Sequence, residues 1–493
     1  MQKYTHNQIA THNTAQSCHV ILHGKVYDLT SFLHEHPGGA SIILHEAGTD
    51  ATVAFSQYHP QDLIEKVLPP QLCIGVVDPD SSPVPRKEAV VVKRDGSGKP
   101  GLGSILNAFD FEAIARATMK PEAWAYYSSG AEDEITLREN HTAFHRIYLK
   151  PRVLVNVSKI NTATTLLGSK TSFPLYITAC ALGKLGNPEG EVVLTRAAGT
   201  RGVIQMMPTL ASCSLDEMLN ARKVGQDTWF QLYVNGDREV TRKVVKRAEE
   251  RGCKGLFVTV DAPQLGRREK DMRIKYQDDV SDIQKKNDGS SKVNRNMGAA
   301  RAISSFIDPT LCWKDIEWLG SVTKMPIVLK GVQTGADAVR AAKLGCVRGI
   351  VISNHGGRQL DTCRSGIEIL PEVVAELKKA RLHGKLELYV DGGIRRGADI
   401  FKALALGATG VGIGRPSLYA MSTYGQEGVE KLLDILREEL EMVMGLMGVT
   451  SIDQISEDMV DSRNLGTHVS VVKDHLHEGV YEPMKTPAFK SKL

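Results

Sequence analysis

Two side chains in the stretch Val351-Ile352-Ser353-Asn354-His355-Gly356-Gly357-Arg358-Gln359-Leu360-Asp361 could do chemistry together, His355 and Arg358. An imidazole can move a proton near neutral pH. A guanidinium three residues further on can hold a carboxylate through two parallel charge-assisted hydrogen bonds. The paired glycines between them let the backbone turn sharply and come close to a flat ligand. A base beside a carboxylate clamp points to proton abstraction from a small acid. The apolar run Gly349 to Ile352 reads as a buried parallel strand, so the pair stands at a strand end.

Other elements must hold that strand end in place. Further apolar strand candidates are Leu175–Thr178, Val203–Met206, Trp229–Tyr233, Leu256–Val260, Ile327–Lys330, Leu386–Asp391 and Gly410–Ile413, and the sixth in order is Gly349–Ser353. Helical patterns such as Val240–Arg251 and Gly335–Leu344 lie between them. Eight buried strands alternating with helices predict an α/β fold, a parallel (β/α)8 TIM barrel. An open doubly wound sheet is the alternative, but it seldom needs eight such units in unbroken sequence. The polar connection from Asp278 to Ser305 breaks the rhythm and reads as a mobile, protease-sensitive surface loop.

A TIM barrel carries its functional residues at the C-terminal strand ends. Tyr126 precedes the barrel. Gln231 and Tyr233 end the third strand, and Thr259 and Asp261 the fourth, followed by Arg267 and Arg268. Lys330 ends the fifth strand, directly after Pro326-Ile327-Val328-Leu329. Asp391-Gly392-Gly393-Ile394-Arg395 ends the seventh and Gly412-Ile413-Gly414-Arg415-Pro416 the eighth. Glycines expose backbone N–H donors and an arginine neutralises a dianion, so these last two turns suit a phosphate. A buried Asp261 would stabilise the His355 cation that forms when a proton is taken.

Residues 104–480 resemble the FMN-dependent 2-hydroxy acid dehydrogenase and oxidase family, above all through Ser353-Asn354-His355-Gly356-Gly357-Arg358-Gln359. The resemblance implies His355 as active-site base, with Asp261 stabilising the imidazolium. It implies Arg358 and Tyr126 on the substrate carboxylate, Tyr233 on the substrate hydroxyl, and Arg268 assisting charge stabilisation. Ala181, Gln231, Thr259, Lys330, Ser353, Asp391, Gly392, Gly393, Arg395, Gly414 and Arg415 fall on FMN-binding positions. Lys330 is expected at the electron-accepting ring, where a buried cation stabilises developing negative charge. Two departures stand out. Pro208 replaces a common serine and has no N–H to donate, and Cys180 replaces a usual threonine. Ala181 keeps the small residue facing the flavin, and Leu210 keeps a bulky pocket wall.

Residues 1–77 read as a separate small α+β domain. Val20-Ile21-Leu22 and Val26-Tyr27-Asp28-Leu29 form a hairpin pattern, and Thr30 is expected to cap the helix that follows. The segment resembles the cytochrome b5 heme-binding domain through His36-Pro37-Gly38-Gly39, the Gly48-x-Asp50-Ala51-Thr52 stretch, and His59 placed 23 residues after His36. The resemblance implies His36 and His59 as axial ligands of heme b. Two imidazoles closing both iron positions favour outer-sphere electron transfer over oxygen chemistry. His19 stands where the family commonly has tryptophan, a change expected to loosen local packing. Residues 78–103, rich in Pro, Gly, Ser and Asp, read as a hinge linker. Together the two domains resemble the flavocytochrome b2 family of cytochrome-type L-lactate dehydrogenases. That resemblance implies an L-2-hydroxy acid substrate, cytochrome c as acceptor and a homotetramer.

Composition excludes several other classes. The chain has 493 residues, 42% apolar and 24% charged, with net charge +4, too balanced to imply nucleic acid or a membrane surface. No apolar run approaches the roughly 18 residues of a membrane span. The eight cysteines are scattered without a C-x-x-C pair and read as reduced thiols. Met1 to His6 reads as neither a signal core nor a transit segment. Residues 481–493 form a C-terminal tail closing on Ser491-Lys492-Leu493, expected to be a peroxisomal address. The mitochondrial intermembrane space and the cytoplasm are the alternative locations. A peroxisomal site would favour a rival activity, an oxidase whose electrons go to oxygen, whereas the heme domain favours the dehydrogenase. A non-enzymatic heme protein with an inactive barrel is disfavoured by the intact His355, Asp261 and Arg358.

Overall fold

A computed structural model describes residues 1–34, 40–58, 64, 68–82, 98–273 and 307–468. The candidate heme ligands His36 and His59, the connection from Asp278 to Ser305 and the terminal Ser491-Lys492-Leu493 lie outside the described residues. The chain forms two compact units, Met1–Gly101 and Leu102–Leu493. No described helix is long and apolar enough to cross a membrane.

The first unit holds a five-stranded sheet in the order Lys3–Tyr4, Cys73–Val77, Lys25–Asp28, Ser17–Leu22, Asn13–Thr14. The central hairpin pairs His19 with Asp28 and Leu22 with Lys25. Its two-residue turn, His23-Gly24, has φ of 50° and 75°. Two left-handed residues in succession match the right-handed twist of the flanking strands. Val20, Leu22, Tyr27, Leu29 and Leu33 build one small core. Thr30, the residue before helix Ser31–His34, is bonded to the hairpin. Its hydroxyl accepts from the Cys18 N–H at 2.9 Å and donates to Asp28 at 2.5 Å, which ties the hairpin together. His19, expected to loosen local packing, is packed on one face. Its ring is buried and stacks on His12 with centroids 3.9 Å apart.

The second unit is a closed barrel of eight parallel strands. In chain order they are Leu175–Ile177, Ile204–Met207, Thr228–Leu232, Leu256–Thr259, Ile327–Val332, Val347–Ile352, Glu387–Asp391 and Gly410–Ile413. All eight are the strands expected from the apolar runs. Both faces of each strand are buried, which is why the runs are continuous rather than alternating. Alternate side chains still divide into two cores. Tyr176, Met206, Trp229, Phe257, Val328, Val351 and Tyr389 fill the barrel interior. Their neighbours Leu175, Ile177, Met207, Leu256 and Ile350 face the surrounding helices. The interior aromatics interlock, with the Trp229 and Phe257 rings stacked at 4.7 Å and Tyr389 edge-on to Tyr176 at 5.7 Å. Gly412 makes room for this layer, since a Cβ there would stand 2.7 Å from the Tyr176 ring.

That plug makes a rigid floor for the strand ends above it. Trp229→Ala would leave a large void, because close-packed neighbours collapse only partly. The expected loss is about 3–5 kcal/mol of stability, read as a lower denaturant midpoint for loss of near-ultraviolet circular dichroism.

Candidate active site

The backbone at the end of the sixth strand is unusual. His355, Gly356 and Gly357 have φ of 58°, 64° and 74°, three left-handed residues in a row. Glycine adopts this region freely, but histidine does so at a cost of order 1–2 kcal/mol. Local bonds hold it there. The Ser353 hydroxyl accepts from the His355 N–H at 3.1 Å, and the Asn354 side-chain oxygen accepts from the Gly357 N–H at 3.0 Å. The consequence is a histidine ring turned back over the barrel mouth.

Asp261, at the end of the fourth strand, fixes that ring. His355 Nδ1 lies 2.9 Å from Asp261 Oδ1, and Nε2 lies 3.3 Å from the Tyr233 hydroxyl. An ionised Asp261 can only accept, so Nδ1 carries the proton and Nε2 keeps a lone pair toward the cleft. Burial works against charge on Asp261, but His355 and Lys330 outweigh it and hold the carboxyl below its ordinary value. Burial pushes the His355 value down, with Lys330 and Arg358 adding to the fall and Asp261 opposing it. The ring is therefore neutral at pH 7. Burial, then Asp261, raises the Tyr233 phenol, which stays protonated.

Lys330 is only 5% exposed and stands 3.3 Å from Asp391 Oδ2 and 3.2 Å from Ser353 Oγ. Burial disfavours its charge, but Asp391 and Asp261 more than offset that, and its value is raised. The fifth, sixth and seventh strands thus share one buried ion-pair network.

The arginines divide into two groups. Arg358 and Arg268 lie over the Tyr126 ring, at 4.9 and 5.8 Å from its centroid. Arg358 Nη1 also donates to the Tyr126 and Ser129 carbonyls at 2.7 and 3.1 Å. Burial, then Arg358, pushes Arg268 down to about 10, so two cations share little solvent there. Arg415 and Arg395 stand by the glycine turns. Arg415 donates to the carbonyls of Tyr127, Gly356 and Ser129 at 2.8–2.9 Å, which pins helix Pro121–Ser128 to the His355 loop. Arg395 donates to the Ile394 carbonyl and faces Glu112 at 3.5 Å. Gly392 and Gly393 have φ of 87° and 86°, and a Cβ on Gly393 would overlap the Asn140 carbonyl.

Of the sequence-predicted barrel residues, all but Asp261 and Ser353 line a single cleft at the strand ends. Those two stand behind it, bonded to His355 and Lys330. Gln231 and Thr259 are joined by a 2.9 Å hydrogen bond on its floor, and Ala181 lies on its wall. Pro208 and Cys180 line it too. Burial pushes the Cys180 thiol up to about 12, so it is an inert, protonated wall group.

Sequence reasoning missed several supports. Asp361 accepts from the Ile135 and Thr136 N–H groups at 3.2 and 2.8 Å, capping helix Ile135–His145, whose own Glu134 makes no cap bond. Asn140 on that helix pairs with Asn354. Asp271 is buried behind Arg268. The first two contacts join residues more than 200 positions apart, and no local pattern marks them.

Comparison with known proteins agrees with this geometry. The family model "FMN-dependent dehydrogenase" matches residues 115–462, and "Cytochrome b5-like Heme/Steroid binding domain" matches residues 5–78. The chain belongs to the FMN-dependent dehydrogenase family. It is 50% identical over 487 residues to an L-lactate dehydrogenase (cytochrome) of Wickerhamomyces anomalus, covering 98% of this chain and 84% of that one. It is 48% identical to that of Saccharomyces cerevisiae over 98% of this chain and 83% of that one. The recombinant flavin-binding domain of baker's yeast flavocytochrome b2 superposes with a TM-score of 0.69 at 50% identity, over 80% of this chain and 95% of that one.

The cleft of this family member fits FMN. Asp391 Oδ1 and Thr178 Oγ1 are buried without a hydrogen-bond partner, so the wall holds polar atoms that a polar ligand would satisfy. A buried ammonium stands at one part of the cleft. Left-handed glycines with two arginines stand at another, packed so closely on helix Ile135–His145 that a Cβ on Gly393 would overlap the Asn140 backbone. Gly393→Ala should therefore push this turn off helix Ile135–His145, lowering the denaturant midpoint and leaving roughly tenfold less bound flavin in the 450 nm region of the purified protein's spectrum.

Proposed function

We propose that this chain oxidises an L-2-hydroxy acid, with lactate as the default, to the 2-oxo acid on FMN, its electrons passing to heme b and then to an external acceptor such as cytochrome c. The observation that carries the chemistry is the His355 ring held by Asp261 at Nδ1, with Nε2 toward the cleft beside the Tyr233 hydroxyl. FMN, when bound, supplies a two-electron acceptor, and heme b a one-electron carrier.

This chain's residues do the rest. Arg358, with Tyr126 beside it, holds the substrate carboxylate. Tyr233 meets the substrate hydroxyl, and Arg268 adds positive charge as the substrate becomes more negative. His355 Nε2 takes the proton. Asp261, already ionised, stabilises the imidazolium without moving. Gln231, Thr259, Ala181, Lys330 and Ser353 line or support the flavin site. Asp391, Gly392, Gly393, Arg395, Gly414 and Arg415 form its seventh- and eighth-strand side, with the phosphate at the glycine turns. His36 and His59 serve as heme ligands. The oxidase alternative gives no role to the N-terminal unit, which the relatives named L-lactate dehydrogenase (cytochrome) match together with the barrel. A homotetramer completes the proposal, and light scattering reads it directly.

Anaerobic rapid mixing with L-lactate tests the relay. Flavin bleaching should precede heme reduction, and a heme that stays oxidised while flavin bleaches would refute it. The base is tested by pH. Only neutral His355 accepts a proton, and burial lowers its value, so kcat/KM should fall with acid through a pKa below the ordinary imidazole value of about 6.5. Asp261→Asn removes the charge that stabilises the imidazolium. A charge-assisted bond is worth about 1.5–3 kcal/mol, so kcat should fall by roughly one to two decades. His355→Ala turnover at the parent rate would exclude His355 as the base.

A further inference from the structure

Helix Ile135–His145 touches both halves of the site through two adjacent residues. The first is Asn140, 2% exposed, whose amide pairs with that of Asn354 in both directions. Asn140 Nδ2 donates to Asn354 Oδ1 and Asn354 Nδ2 to Asn140 Oδ1, each at 2.8 Å. Asn354 also takes the Gly357 N–H at 3.0 Å and gives to the Arg364 carbonyl at 3.0 Å. An amide has two donors and two acceptor sites, so Asn354 is saturated and has one orientation. It is the residue before His355, and its bond to Gly357 closes the left-handed loop.

On its other side Asn140 packs against the seventh-strand turn. A Cβ on Gly392 would lie 3.2 Å from the Asn140 amide group, and one on Gly393 would overlap its carbonyl. The second residue, His141, places Nδ1 3.0 Å from the Gly393 carbonyl. That bond fixes the plane of the Gly393–Ile394 peptide, which belongs to the turn assigned to the phosphate. The helix cannot slide away from either contact, because Asp361 from the His355 loop caps its first turn.

We propose that Asn140, with His141 beside it, is a positioning residue that couples the phosphate turn to the setting of His355. The inference rests on the reading of the cleft as an FMN site for hydroxy-acid oxidation. A turn filled by phosphate holds Asn140 against Asn354, and Asn354 then holds the loop on which His355 stands. Coupling between two sites is reciprocal in binding free energy, so loss of the link weakens each side.

The test uses Asn140→Ala in the full chain, freed of flavin and titrated separately with FMN and with riboflavin, which lacks the phosphate. The ratio of the two dissociation constants measures what the phosphate contributes. That ratio should fall about tenfold in Asn140→Ala, with riboflavin affinity little changed, and kcat at saturating FMN should fall about tenfold or more. Equal weakening of both flavins would mean general loosening and would overturn the proposal, as would an unchanged kcat at saturating FMN. His141→Asn, whose Nδ2 stands where Nδ1 does and can still donate to the Gly393 carbonyl, should retain a larger phosphate contribution than His141→Phe. If Asn140→Ala does not fold, Asn140→Ser is read by the same criteria. The binding arm needs no turnover. A parent chain inactive on hydroxy acids would sink the proposed function and leave that arm standing.

Discussion

The hydrogen bond from His355 to Asp261 constrains the rest of the barrel mouth. It joins the sixth strand end to the fourth and requires a histidine in a backbone region that histidine avoids. Serine, asparagine and two glycines around it exist to hold that geometry. Gly331, with φ of 112°, leaves space in which Asp261 sits, since a Cβ there would press on its carboxylate. The bond sets the tautomer, the tautomer leaves Nε2 bare, and a bare Nε2 is what makes the ring a base.

Charge is arranged around that bond in alternation. Asp261, Lys330 and Asp391 run through the buried floor, each lowering the cost of burying the next. Isolated, any of them would lose several kcal/mol on leaving water. On the open side the arrangement reverses. Arg268 and Arg358 share the Tyr126 ring, and Arg268 is pushed down by burial and by its neighbour. Two cations are crowded at the cleft mouth, whereas on the floor each cation has an anion beside it. Positive charge is thus gathered at the mouth, and the His355 ring lies beneath it, its cation disfavoured by burial.

Much of this was legible in the sequence. The eight strands announced themselves as apolar runs because parallel strands bury both faces, and Lys330 stood out because it interrupts such a run. The strand-end rule gathers Tyr233, Asp261, His355 and Arg358 at one barrel mouth. What stayed hidden was the support between distant segments. Asn140 looks like any polar residue on a helix, and only folding brings it against Asn354. Asp361 ends the opening stretch, and nothing in the sequence around it shows that it caps a helix more than 200 residues earlier. In the N-terminal unit the hairpin was plain from its turn residues. The uses of Thr30 and His19 depended on partners that sequence distance does not reveal, Cys18 for one and His12 for the other.

The most direct test of the central claim is nitrogen NMR of histidine-labelled protein, with the His355 signals identified by their loss in His355→Gln. At pH 7 the ring should be neutral, with the proton on Nδ1 and Nε2 bare. A ring protonated on both nitrogens at pH 7, or a neutral ring carrying its proton on Nε2, would contradict the account.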